Sequence, residues 1–306
     1  MPNLDKEVKP KTVASTPSMH TNLGQSFLDQ ENVDCEFICR DLLNNNVKRT
    51  IGAHKVVLCA ASPVFRAMLL GPLKEKGPVT ISDVSYQAFK WLLWIIYRQK
   101  IVPMPTQYEH ISFYGRDIYI AAQKYDCQKA LVDIRQVIVG RLRDFPSEAC
   151  VWFTLSEMFD DPLIRFSALN AFVSKTDEIL ISSDFRNILP STIAIIFKQE
   201  QLNIKNEFDL VKALESYLRH NSSVTLENEH IIEAKRHIRF LTLTKKQIRD
   251  TTVLTPQEKI EILYCYDTNE EVSVMKTLEM SFDKMMRDKP RPNIRRTPRK
   301  RGKQSK

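Results

Sequence analysis

Glycine is scarce here, with seven in 306 residues. Barrels, propellers and glycine-lined cofactor sites need that residue at turns or where backbone meets ligand, so its scarcity argues against all three. No Gly-rich phosphate loop is present either. The six cysteines (Cys35, Cys39, Cys59, Cys127, Cys150 and Cys265) contain no C-x-x-C pair. Cys35 and Cys39 fall in an expected strand, where residues four apart share a face but stand too far apart to clip one metal. They read as reduced, mostly buried thiols of an intracellular protein. The histidines at 20, 54, 110, 220, 230 and 237 are scattered, and His230 and His237 lie two helical turns apart, too far for one ion. No apolar run approaches the roughly 20 residues of a membrane helix. Residues 1–20 lack the apolar centre of a signal peptide. No serine, cysteine or acid sits in a recognisable nucleophilic or acid–base setting. The expectation is a soluble protein of cytoplasm, nucleus or both, with no cofactor, no metal and no enzymatic activity.

Apolar residues make up 43% of the chain and charged residues 27%, ordinary values for a globular protein. The net charge of +8 is concentrated at one end. Residues 284–306 hold eleven lysines and arginines against Asp288 alone, a net of +10, which leaves residues 1–283 at −2. The basic character therefore describes the tail's contacts and not the folded part.

The stretch His54–Leu70 organises the first half. Val56 to Ala61 is a short apolar run, and Ser62-Pro63 follows as an N-cap and a first-turn proline. Val64, Phe65, Met68 and Leu69 then recur at helical spacing until Gly71-Pro72 stops the helix. Two short helices meeting at a corner, a buried helical hairpin, are expected. Before them, Val33, Cys35, Phe37 and Cys39 alternate as a strand, Asn44-Asn45-Asn46 signals a turn, and Val47–Ile51 returns. Val79–Ile81 is a further short strand. Tyr86–Tyr97 is a helix apolar nearly all round, ended by Pro103 and Pro105. Two helices joined near Tyr125-Asp126 follow over 110–142.

Beyond Phe145-Pro146 the pattern is helical throughout. Asp161-Pro162 opens a helix with Leu163, Phe166 and Leu169, and shorter ones begin at Ser182-Ser183 and Pro190-Ser191. A longer one after Asn206–Asp209 carries Leu210, Val211, Leu214, Tyr217 and Leu218. Thr255-Pro256-Gln257-Glu258 is a capping box before Ile260, Ile262 and Leu263. Short helices with tight turns predict antiparallel hairpins stacked as a bundle or solenoid.

These residues resemble the BTB/POZ domain. The matching features are His54 opening the hairpin, Ser62 with Phe65 at its corner, Asp34 upstream in V-D-C-E-F-I-C, and F-K-W-L-L-W-I-I-Y ending at Tyr97. The second half resembles the BACK domain in S-S-D-F-R-N-I-L-P, L-N-I-K-N-E-F-D-L-V-K-A-L-E-S-Y-L and I-R-F-L-T-L-T. The closest group is the one that usually carries a C-terminal PHR sandwich, and neither that sandwich nor kelch repeats are expected here. The resemblance implies a mainly α fold with a small N-terminal β-sheet: an α/β BTB/POZ domain over 21–130, then an all-helical BACK bundle over 131–266. Residues 1–20 are expected to be a disordered N-terminus, 267–283 a possible terminal helix, and 284–306 a basic disordered tail.

The resemblance also implies function. Members of the family pair through the first helix, which makes Leu23, Phe27 and Leu28 candidates for a homodimer interface. Leu73, Lys74 and Glu75 stand where cullin-3 adaptors hold an apolar residue, any residue and Glu. Tyr125 and Asp126 mark the helix junction such adaptors present to the cullin, and helices around Trp152 and Phe153 would extend that surface unless those rings are core. Asp34 and His54 are the pair the family places near the dimer groove. They read either as a contact to a partner or as ties to backbone and to each other. The implied role is a homodimeric substrate adaptor of a cullin-3 RING ubiquitin ligase, recruiting a protein substrate. The alternative is a nuclear scaffold or transcription cofactor. Arg295, Arg296, Arg299, Lys300, Arg301 and Lys303 read as a nuclear-import segment for an import receptor or as a solubilising tail. With no aromatics to stack on bases, the tail predicts no specific nucleic-acid binding. No membrane contact is expected.

Overall fold

The computed structural model describes residues 18–41, 47–72, 74, 77–101 and 111–268, with the side chains of 111–114 excepted. The expected Asn44–Asn46 turn and the expected segments 1–17, 269–283 and 284–306 lie outside these residues. The chain divides into two compact units, residues 1–136 and 137–306.

In the first unit, α1 (Met19–Leu28) leads to β1 (Cys35–Asp41), β2 (Val47–Ala53), α2 (Lys55–Ala61), α3 (Pro63–Leu70), β3 (Val79–Ser85), α4 (Tyr86–Arg98), α5 (Ile111–Lys124) and α6 (Gln128–Asp144), the last crossing the division. Alternation makes the strands: Phe37, Cys39 and Asp41 point into the core while Glu36 and Arg40 stay exposed. β1 pairs antiparallel with β2, Phe37 opposite Ile51, and parallel with β3, Phe37 beside Val79. The three-stranded sheet therefore runs β2-β1-β3. α4 is the central rod. Of its thirteen residues Lys90 and Arg98 alone escape burial, as its all-round apolar pattern predicts.

The hairpin is buried on one side only. Leu58 and Cys59 of α2 and Phe65 and Leu69 of α3 face inward, whereas Val56 is 74% and Leu70 57% exposed. The expectation of a wholly buried corner is corrected to that extent. Four rings make the centre. Phe37 lies 5.1 Å from Phe89 and 5.9 Å from Phe65, and Phe65 stacks on Tyr125 at 4.6 Å with 9° between planes. Each such pair adds about 0.5–1.5 kcal/mol beyond its buried area.

The second unit continues with α7 (Ala149–Met158), α8 (Pro162–Ser174), α9 (Thr176–Leu180), α10 (Pro190–Lys198), α11 (Phe208–His220), α12 (Glu229–Arg236), α13 (Lys245–Asp250) and α14 (Pro256–Thr268). The expected caps form. Asp161 accepts from the Ile164 N–H at 3.3 Å, and Thr255 and Glu258 bond reciprocally at 2.8 and 3.2 Å. α11 buries Leu210, Val211, Leu214 and Tyr217 as its stripe predicts. Glu258 also takes an ion pair the sequence did not reveal. Lys235 Nζ lies 2.9 Å from its carboxylate, with side chains 3% and 7% exposed.

Candidate protein-docking surface

The motif residues of the first unit hold its backbone together. Ser62 starts α3 by accepting from the Phe65 N–H at 3.0 Å, and its own hydroxyl donates to the Tyr125 carbonyl in the turn between α5 and α6. One buried oxygen thus joins the hairpin corner to that turn. The His54 N–H donates to the Tyr97 hydroxyl at 2.7 Å, and His54 Nδ1 lies at the same distance from that oxygen. His54 Nε2 stands 2.8 Å from the Glu31 carbonyl, which requires the proton on Nε2 and leaves Nδ1 to accept from Tyr97. Burial holds the Tyr97 phenol well above its ordinary pKa.

Asp34 and His54 do not bond each other. The Asp34 carboxylate accepts the Lys55 N–H at 2.7 Å, so a residue of the strand entry caps α2 from 21 positions away. The Asp34 carboxylate is tied to backbone, and the His54 ring to the Glu31 carbonyl and the Tyr97 hydroxyl.

The dimer candidates divide. The Phe27 ring is 1% exposed and stacks on Tyr97 at 4.7 Å, so it belongs to its own protomer's core and is withdrawn as an interface residue. Leu23 and Leu28 remain half-buried. Leu23 lines a groove of about 510 Å³ with Val56, Val57, Ala60, Ile95 and Ala130, an apolar strip shared by α1 and α2. Val56 was missed as a surface residue because an unbroken apolar run does not say which side faces out.

Among the cullin candidates, Leu73 and Glu75 lie outside the described residues. Lys74 is exposed, its N–H donating to the Gly71 carbonyl at 3.2 Å. Tyr125 is a correction: it is 0% exposed within the ring cluster and cannot touch a partner. Asp126 beside it is half-buried and takes a left-handed turn conformation (φ 47°). In the second unit Trp152 and Phe153 are each 3% exposed, so both are core. α8 corrects its expected stripe. Ile164, Ala168 and Phe172 face inward, while Leu163 and Phe166 are 50% and 65% exposed. Exposed apolar positions of this unit include Leu163 and Phe166 on α8, Met158 on α7 and Ile260 on α14. The import candidates Arg295, Arg296, Arg299, Lys300, Arg301 and Lys303 lie outside the described residues.

Among the described residues no group of three His, Cys, Asp or Glu side chains is arranged to hold a metal ion. Burial pushes the thiols of Cys39, Cys127 and Cys150 up to about 12, which keeps them protonated and poorly nucleophilic. The described surface offers apolar strips and charged edges, the chemistry of protein docking.

Comparison with known proteins agrees. Residues 23–139 match the BTB/POZ domain and residues 149–252 match BACK, described as BTB And C-terminal Kelch. BTB/POZ domain-containing protein 6 of Homo sapiens is 30% identical over 158 residues, covering 51% of this chain and 28% of that protein. BTB/POZ domain-containing protein 6-A of Danio rerio is 25% identical over 271 residues, 84% of this chain and 47% of that one. Kelch-like protein 40a of Danio rerio is 25% identical over 194 residues, 62% and 29% of the two chains. The chain spans less than half the length of these relatives. With its motif residues built into the corner as described and the two domains following in order, the chain belongs to the BTB-BACK family.

Proposed function

We propose that this protein is a homodimeric substrate adaptor of a cullin-3 RING ubiquitin ligase, with no catalytic residue of its own. The observation that carries the reading is the order of modules, a BTB/POZ domain followed directly by BACK, both protein-interaction domains. In this reading the apolar strip of Leu23 and Val56 pairs two copies. Leu73 anchors the cullin with Glu75 setting its orientation. Substrate held by such a dimer gains effective concentration and avidity near the transfer machinery. Leu73→Ala with Glu75→Ala is expected to reduce capture of cullin-3 at least about tenfold, while size-exclusion chromatography still finds a dimer. Full capture by that variant would remove the reading.

The basic tail favours a second reading, a nuclear scaffold using the same dimer without a ligase. Removing residues 284–306 discriminates the two. A scaffold loses its nuclear location and its role together, whereas an adaptor keeps its cullin.

A further inference from the structure

Three features of the β1–β2 hairpin converge on one surface that no role above uses. The first is an open backbone edge. β2 is an outer strand of the sheet. The side-chain amide of Gln30 closes that edge at Gly52, accepting from its N–H at 2.7 Å and donating to its carbonyl at 3.2 Å. Any larger residue at 52 would bar that amide, because a Cβ there would lie 2.7 Å from Gln30 Oε1. By the two-residue period of an antiparallel ladder, Thr50 and Lys48 present their N–H and C=O groups the same way. Among the described residues no hydrogen bond reaches them.

The second feature is uncompensated charge. Arg40 stands directly opposite Lys48, both exposed. Because Gly52 faces outward, this pair belongs to the non-hydrogen-bonded class, in which opposite Cα atoms come within about 4.5 Å and like charges oppose folding. On the other face Arg49 covers the Tyr86 ring at 4.4 Å from its centroid, with Lys90 at 5.9 Å. Arg49 is answered by the buried carboxylate of Asp41 at 2.9 Å. Arg40, Lys48 and Lys90 form no ion pair among the described residues. The third feature is a groove of about 410 Å³ alongside the same edge, lined by Leu28, Asp29, Gln30, Thr50, Tyr86 and Lys90, with the Asp29 carboxylate accepting from the Gln25 side-chain amide at 2.8 Å.

We infer that the free edge of β2 takes an extended, glutamate- or aspartate-rich segment of a partner protein as an added strand. The groups of Lys48 and Thr50 supply backbone bonds and the three unpaired cations, Arg40, Lys48 and Lys90, select acidic side chains. The Gln30 amide, already seated where a strand's next peptide would lie, ends the pairing. A second copy of this chain is the wrong occupant, since it would bring Lys48 and Arg49 against their own kind. The inference is independent of the ligase reading.

The probe is a fluorescein-labelled peptide alternating glutamate and threonine, long enough to span β2 and titrated against the full chain by anisotropy. Saturable binding is expected. Arg40→Gln with Lys48→Glu should weaken it at least about tenfold, while the melting temperature holds or rises because the repulsion is gone. Two further peptides, methylated on alternate amides in the two possible registers, carry unchanged charge. A strand docks by one edge, so one of them should lose binding and the other keep it. Equal binding by both, undiminished binding to the substituted chain, or no saturable binding by the unaltered chain would each overturn the inference. The methylated pair tests it even if the substituted chain folds poorly.

Discussion

The two units are fastened in different ways. In the first, the long-range ties between side chains and backbone gather on and just before the α2–α3 hairpin. Ser62 reaches the Tyr125 carbonyl, Tyr97 the His54 N–H, His54 the Glu31 carbonyl, Gln30 both groups of Gly52, and Asp34 the Lys55 N–H. In the second, Asp161, Asn228, Thr244 and Thr255 each cap the helix that begins beside them, and the distant ties are spread along the helices: Tyr217 reaches the Ile188 carbonyl, Asn221 the Arg186 carbonyl, Glu207 the Arg239 N–H and Glu215 the Thr252 N–H, besides the pair Lys235–Glu258. Ties gathered on one short hairpin require particular residues close together, so they leave a motif. Ties scattered over many helices, local caps and apolar stripes leave only a pattern. The BTB/POZ motif is thus chiefly a record of how the corner is tied.

Five substitutions sharpen that contrast, read by thermal denaturation with hydrogen exchange to locate the loosened amides. Phe65→Ala removes the ring between the sheet and Tyr125 and is expected to cost about 4 kcal/mol, loosening α2, α3 and the α5–α6 turn together. Glu258→Ala leaves Lys235 buried and unpaired, for about 3 kcal/mol, confined to α12–α14. Adding Lys235→Met to Glu258→Ala should recover most of that loss, and no recovery would mean that the capping role of Glu258 dominates. Ser62→Ala loses a cap and a buried bond, about 2 kcal/mol, and its effect should appear at the distant α5–α6 turn. Asp34→Ala is the smallest, about 1 kcal/mol, felt in the first turn of α2. Were the Ser62 and Asp34 effects confined to their own neighbours in sequence, the contrast between the units would collapse.

Most of the fold was legible, for reasons visible at single residues. Ser62-Pro63 and Asp161-Pro162 start helices as local chemistry predicts. The alternation through Phe37 and Cys39 fixes which side of β1 is inside. The docking side was read less well. α8 has apolar residues on more than one face, so the stripe Leu163, Phe166 and Leu169 does not mark its buried side, which Ile164, Ala168 and Phe172 form. Tyr125 looked like a surface residue because it sits in a turn, yet its ring lies in the centre of the unit. The partners of Asp34 and His54 are mainly backbone groups, which no spacing of side chains announces. Lys235 gave no sign of burial, since its carboxylate partner lies 23 positions on.

The Ser62 hydroxyl both accepts a hydrogen bond from the Phe65 amide and donates one to the Tyr125 carbonyl, inside a space closed to solvent. Alanine and valine offer neither capability, aspartate cannot donate, and asparagine adds bulk that the enclosure has no room for. Saturation mutagenesis at this codon should therefore return an almost empty row, with threonine the nearest to tolerated.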